Sequence, residues 1–317
     1  MRNGYVKDKM GTDIKNLKIL VTGGTGFIGT NLVRRLAVDN EVIVMDNMHT
    51  GSDSNIKDLI DRGNVELLHE DVKNINKLGK KVDIIFHLGF YSASPMYRNN
   101  PMLVSEVVAG MTALLEYCRK NSANMVFSST SSIYNGVEPP HREDIIPRVT
   151  DFYTEARIYA ERMAELYNKL YGVNVAAMRF FSVYGKYEKA KGEYANLVTQ
   201  FLWNIREGKS PIIYGDGKQR RDFVYVEDLI DALLLASEIK GFEVFNVGYG
   251  KNYSLNEMLS MLNKHLVTDT KPEYIKMPVK NYVMGTLADT TKSEKMLGFK
   301  AKTTLEDGIK IISEFYK

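Results

Sequence analysis

The sequence predicts an α/β protein: a doubly wound parallel sheet carrying a smaller mixed α/β region. Three observations point there. Short apolar runs alternate with helical patterns through the first half, as expected of parallel strands covered on both faces by crossover helices. The first run, Lys18-Ile19-Leu20-Val21-Thr22, ends in glycines spaced Gly23-x-x-Gly26-x-x-Gly29 and leads into a helical pattern at Leu32, Val33 and Leu36. From Lys186 onward the alternation stops, and charged, glycine-containing segments follow.

Composition narrows the class. The 317 residues are 44% hydrophobic and 26% charged, an ordinary globular balance that permits one large or two modest domains. The net charge of +3 is scattered along the chain, which gives no footprint for nucleic acid. The one cysteine, Cys118, excludes an internal disulfide, fits a reducing compartment and falls in an apolar helical pattern as a core residue. No signal peptide and no bilayer-spanning apolar run is evident, so a cytoplasmic protein without a membrane partner is expected. The polar residues before Lys15 read as a loose extension.

The elements follow in order. Strands are expected at Lys18–Val21, Val42–Met45, Val65–His69, Ile84–Leu88, Met125–Ser128 and Val175–Arg179, and helices at Gly29–Val38, Pro101–Lys120 and Tyr153–Tyr171. The glycine turn leaves free N–H groups at a helix N-terminus, where the dipole favours an anionic phosphate. Asp46 closes the second strand, at the position where an acid accepts from an adenosine ribose. It suits NAD and would repel the extra phosphate of NADP. Asp71-Val72 follows the third strand, and there an adenine contact and a plain helix cap remain equally open. His87-Leu88-Gly89 ends the fourth. His87 reads as a hydrogen-bonded core histidine, Gly89 as a point of close backbone approach. No Cys, His and acid set has metal-ligand spacing.

The fifth strand ends in Ser128-Ser129-Thr130-Ser131-Ser132-Ile133-Tyr134, a hydroxyl run that is also compatible with ordinary turn chemistry. Tyr153-x-x-x-Arg157 then opens a helix. Residues four apart share a helix face, so a phenol stands beside a cation. A nearby positive charge favours phenolate, and a phenol near neutrality serves as general base and acid toward a sugar hydroxyl. An exposed tyrosine and arginine with no role have the same spacing. Further on, Lys186–Glu193 reads as a mobile loop, Tyr194–Glu207 as a helix, and Ile212-Ile213-Tyr214-Gly215-Asp216-Gly217 with Arg220-Arg221-Asp222 as a surface hairpin or a phosphate site. There Tyr214 is placed to stack on a nucleobase. Leu229–Ser237 reads as a helix and Val244–Gly248 as a strand, and an amphipathic helix closes the chain.

Taken together, these motifs resemble the extended short-chain dehydrogenases/reductases of the nucleotide-sugar epimerase/dehydratase group, most closely the UDP-glucose (UDP-galactose) 4-epimerases. The likeness runs from about Lys18 to the C-terminus. It rests on Thr22–Gly29, Asp46-Asn47-Met48, Asp71-Val72, His87-Leu88-Gly89, Ser128-Ser129-Thr130, Tyr153-x-x-x-Arg157, Arg179–Gly185, Gly215-Asp216-Gly217 with Arg221-Asp222-Phe223, and Phe245–Gly248. The resemblance implies a Rossmann unit over 15–178, with 223–250 returning to it, and a substrate unit from 179–222 and 251–317. It implies bound NAD, with Gly23, Gly26 and Gly29 at the pyrophosphate, Asp46 at the ribose, and Asp71 and Val72 at the adenine. Phe27, Ile28, Asn47, Leu88, Gly89, Ser128, Tyr153 and Arg157 would also meet the cofactor. Tyr153 would be the base, with Thr130 on the reacting hydroxyl and Arg157 on the nicotinamide ribose. A nucleotide-sugar substrate would meet Thr130, Ser182, Asn196, Tyr214, Arg221, Lys280 and Thr286.

Some positions depart from the group. Arg157 stands where lysine is usual, Ser182 and Val107 where asparagine is common, and the arginine common before Ala288-Asp289 is absent, with nearby Lys280 as the candidate substitute. The group's dehydratases and decarboxylases place acids just after the catalytic Thr/Ser, and here Ser131 and Ser132 occupy those places. The resemblance therefore implies hydride exchange at C4: Tyr153 takes the hydroxyl proton, hydride passes to NAD, the 4-keto sugar turns over, and hydride returns to its other face. Small Thr286 leaves room for N-acetylhexosamines beside plain hexoses. Other hydride chemistry (a 4-ketoreductase, decarboxylase or dehydratase) and a non-catalytic dinucleotide-binding protein are the competing readings. In this group the helices carrying Leu114-Leu115 and Tyr153–Leu170 form a homodimer bundle, so a homodimer is expected.

Overall fold

The computed structural model describes residues 14–277 and 282–317. Lys280 and the extension up to residue 13 lie outside the described residues.

Seven parallel strands form the main sheet in the order β3-β2-β1-β4-β5-β6-β10. They are β1 (Lys18–Thr22), β2 (Glu41–Asp46), β3 (Val65–His69), β4 (Ile84–His87), β5 (Asn124–Thr130), β6 (Val175–Phe180) and β10 (Phe242–Val247). The order reverses between β1 and β4, which pair from Ile19↔Ile84 to Thr22↔His87. Open α/β sheets take ligands at such a switch point, outside the carboxyl ends of the strands.

Strand side chains alternate between two helical layers. Ile19, Val21, Val42, Val44, Ile84 and Phe86 pack with α1 (Phe27–Leu36) and α7 (Val226–Ala236). Leu20, Ile43, Ile85, Met125 and Phe127 pack on the other face with α4 (Leu103–Asn121) and α5 (Phe152–Tyr171). Cys118 is buried there, and burial pushes its thiol up to about 12. Two short helices, α2 (Lys57–Asp61) and α3 (Ser94–Asn99), were not foreseen. Neither has room for an amphipathic repeat.

The second unit has its own core. Its sheets are β11-β9-β7 and β12-β8, built from β7 (Ser182–Tyr184), β8 (Ile212–Tyr214), β9 (Arg220–Tyr225), β11 (Asn252–Ser254) and β12 (Glu273–Ile275). Phe201, Tyr184, Phe223, Leu262 and Ile309 pack among them with α6 (Leu197–Arg206), α8 (Leu255–Leu266) and α10 (Leu305–Phe315). The surface hairpin, one of the two readings of the segment around Gly215, does not form. β8 pairs in parallel with β12, and β9 pairs with β7 and β11. Across 223–250, β9 belongs to the small sheet and β10 to the large one. Leu297, at the end of α9 (Thr291–Leu297), and Phe299 lie in the core of the large sheet.

Candidate active site

The glycine turn is built as its spacing requires. Gly23 adopts φ +69°, and a Cβ there would lie 2.7 Å from the Gly89 backbone. A Cβ on Gly29 would stand 2.0 Å from the Gly23 carbonyl oxygen. Only glycine lets strand, turn and helix close this tightly. Gly26 is the N-cap of α1 and brings no side chain to it, so the first-turn N–H groups have no side-chain cap, and Phe27 and Ile28 line the cleft. Asp46 is buried at the end of β2. Its Oδ2 accepts from the Thr25 N–H at 3.0 Å and hydroxyl at 2.6 Å, and its Oδ1 accepts from the Met48 N–H at 2.9 Å. With about four lone-pair positions on a carboxylate, one remains on Oδ1.

One cleft of about 400 Å³ runs along the carboxyl ends of the strands. Gly23, Gly26, Phe27, Ile28, Gly29, Asp46 and Asn47 line one end, and Leu88, Gly89, Ser128, Thr130, Tyr153 and Arg157 its middle. Ser182, Asn196, Arg221 and Thr286 line the far end. Asp71 and Val72 border a small adjoining pocket with Asp46 and Gly89. Of the expected site residues, Tyr214 stays outside this wall. It is partly exposed, with its ring edge-on to Tyr282 at 6.2 Å, and Tyr282 in turn lies under the Arg221 guanidinium at 5.4 Å.

Several side chains have local work as well. Asp71 caps a 3-10 turn by accepting from the Lys73 N–H at 3.0 Å, and also accepts from Asn47 at 3.2 Å. Thr130 Oγ1 accepts from the Ser132 N–H at 3.1 Å. Asn196 caps α6 through Oδ1, and its amide donates to the Val183 carbonyl at 2.9 Å. That cap starts α6 at Leu197 rather than at the expected Tyr194.

Tyr153 and Arg157 stand together on the first turns of α5, with Asp151 as N-cap accepting from Thr154 at 2.8 Å. The Arg157 guanidinium lies 4.9 Å from the Tyr153 ring and 3.9 Å from the Phe90 ring. It is 2% exposed, and its terminal nitrogens donate to the Tyr91 carbonyl at 3.0 Å and the Tyr97 hydroxyl at 3.4 Å. Arginine, unlike lysine, can fork and stack at once. His87 is a core residue, as expected: its Nδ1 is 2.6 Å from the Thr22 hydroxyl. Burial first, then the Arg157 charge, push its imidazole down to about 3.

Residues 19–248 match the NAD dependent epimerase/dehydratase family, more than half of the chain. The chain belongs to that family. A putative UDP-glucose 4-epimerase from Methanocaldococcus jannaschii is 35% identical over 94% of this chain and 98% of its own length. Among solved structures, the UDP-glucose 4-epimerase of Thermotoga maritima with UDP-glucose is similar at TM-score 0.88. It is 31% identical and covers 95% of this chain and 98% of its own. The UDP-N-acetylglucosamine 4-epimerase of Methanobrevibacter ruminantium M1, in complex with UDP-N-acetylmuramic acid, is similar at TM-score 0.90, with 27% identity and the same coverage.

The family motifs led to most of this wall but missed Phe90, Tyr91 and Lys191, which also line it. Phe90 and Tyr91 directly follow His87-Leu88-Gly89, so their place after a strand end was the available signal. Lys191 sits in a kinked 3-10 segment, Lys189–Tyr194, where the sequence reads only as a charged loop, and carried none.

Proposed function

We propose that this chain is an NAD-dependent nucleotide-sugar 4-epimerase acting on UDP-hexoses or UDP-N-acetylhexosamines. The observation that supports it is the single cleft joining the glycine turn, Thr130 and Tyr153, and Arg221 with Thr286. The residues present fit NAD, because α1 begins uncapped behind a glycine-rich turn and Asp46 keeps an acceptor position. NAD, when bound, supplies the acceptor for the C4 hydride.

In this reading Tyr153 takes the proton of the sugar C4 hydroxyl and gives it back, and Thr130 holds that oxygen by a hydrogen bond. Arg157, locked beside Tyr153, supplies a fixed positive charge there. Arg221 and the head of α6 receive the substrate diphosphate. Ser131 and Ser132 follow Thr130 along the cleft wall, so no acid stands there to move a proton at C5. Positioning reactants in one cleft supplies much of the acceleration. In the same reading, 15–178 holds the dinucleotide with help from 223–250, and 179–222 with 251–317 holds the nucleotide sugar.

The test is proton NMR of the purified protein with UDP-glucose and, separately, UDP-N-acetylglucosamine, without added reductant. The expected result is a new galacto anomeric signal with both sugars, and about a thousandfold loss of rate in Tyr153→Phe. No conversion of either sugar would remove the reading. Conversion of UDP-glucose alone would remove the open Thr286 pocket.

A cytoplasmic homodimer completes the proposal. Leu166, Leu170 and Tyr171 of α5 are 44%, 60% and 54% exposed, and Val104, Val108 and Ala113 line a groove on α4. Leu114 and Leu115 face the sheet, so the outward residues would form the bundle. A monomer mass by solution scattering would exclude the dimer, and recovery in a membrane or secreted fraction would exclude the cytoplasm.

A further inference from the structure

The loop between β7 and α6 bridges the two ends of the cleft. Its start is tied to α1: the Asn31 amide donates to the Lys186 carbonyl at 3.1 Å, and the Arg34 guanidinium lies 5.1 Å from the Tyr187 ring. Three hydrogen bonds tie it to the second unit. The Glu188 N–H donates to the Tyr316 hydroxyl at 2.8 Å, that hydroxyl donates to the Gly185 carbonyl at 2.9 Å, and Glu188 Oε1 accepts from the Asn196 N–H at 3.2 Å.

Lys191 lies on this bridge and on the cleft wall. Its ammonium is 5.7 Å from the centre of the Phe27 ring, at the first residue of α1. Arg157 and Arg221 also line the cleft. Arg157 is committed to Tyr91 and Tyr97, and Arg221 donates to the Arg220 carbonyl at 2.9 Å and lies over Tyr282. Lys191 alone of the three has no side-chain hydrogen bond or ion pair among the described residues. Burial lowers its pKa, and burial pushes the nearby Glu188 carboxyl up to about 7, which makes it a weak counter-charge. A half-buried ammonium with only a weak counter-charge beside it favours an anion entering the cleft. The dipole at the head of α1 supplies only about half a positive charge. A pyrophosphate carries two negative charges, and the nearby Asp46 adds another of the same sign.

We propose that Lys191 is a diphosphate ligand of this cleft, reaching the dinucleotide's pyrophosphate from the wall opposite the glycine turn and tying the bridging loop to it. This rests on the NAD reading above. Two diphosphates enter such a cleft, one from the dinucleotide and one from the substrate. The position of Lys191 over Phe27 favours the first.

Isothermal titration of nucleotide-free, full-length protein with NAD, ADP-ribose and UDP separates the possibilities. In Lys191→Met, which keeps the apolar stem, the dissociation constants of NAD and ADP-ribose should each rise about tenfold or more, the loss of one charge-assisted hydrogen bond, with UDP unchanged. Lys191→Arg should bind NAD within about threefold of wild type, because the positive charge is kept. Weaker UDP binding with unchanged NAD would reassign Lys191 to the substrate and overturn the proposal. Unchanged binding of all three, or equal weakening of NAD and UDP, would overturn it as well. Wild-type protein that binds no NAD would instead overturn the NAD reading itself.

Discussion

Arg157 shows how a single changed residue rebuilds its surroundings. A lysine ammonium at this position could not donate to the Tyr91 carbonyl and the Tyr97 hydroxyl while stacking on the Phe90 face, as the guanidinium does. The sequence marked the position and the charge. It did not show the aromatic sleeve, because Phe90, Tyr91 and Tyr97 lie far away along the chain and meet Arg157 only once β4 and α5 are in place. The charge is also felt at His87, whose imidazole is pushed down to about 3 by burial and by Arg157. A histidine held neutral in the folded state adds stability that is complete above its ordinary value of 6.5. That stability drains away as the pH falls from 6.5 toward 3, because the unfolded chain binds the proton first. Urea midpoints should therefore fall across this window, with a His87 share of at most about 1.4 kcal/mol per pH unit. His87→Gln should flatten the slope, and equal slopes in the two proteins would contradict the assignment.

At the scale of elements, the alternating strands and helices of the large sheet were legible, while much of the second unit, including the twelve-residue α8, was not. The strand, turn and helix at Lys18–Leu36 follow from one glycine spacing, and α5 begins within one residue of its expected start at Tyr153. The helix expected at Tyr194 starts later because Asn196 spends its side chain on the cap. Three-residue strands such as β7, β8, β11 and β12 exist only through their partners, so no local pattern announces them. In the glycine turn, sequence and structure agree closely enough for a sharp prediction. In Gly29→Ala, a methyl group would meet the Gly23 carbonyl oxygen at 2.0 Å, a backbone atom that cannot swing aside. The variant should lose about 3 kcal/mol or more of stability, or fail to accumulate folded, and circular dichroism melts would show it. A melt like that of wild type would mean that the turn is looser than described.

For the molecule as a whole, two cores meet along one cleft. The large sheet presents its switch point to one end of it, and the second unit brings Arg221 and Thr286 to the other. The doubly wound fold and its site could be read early because strand ends, where ligands bind, are also where glycine, hydroxyl and acid motifs gather. The pairing of β9 with β7 and β11, and the packing of α9 beside β10, depend on contacts between distant segments and could be read only from the structure. The most direct test of the proposed chemistry is to run the conversion of a UDP-sugar in deuterium oxide and examine C4 and C5 of the product by NMR. Epimerisation by hydride removal and return within one closed site predicts protium at both carbons, since a transferred hydride does not exchange with solvent. Deuterium at either carbon would show proton abstraction from carbon instead, and would contradict the 4-epimerase mechanism.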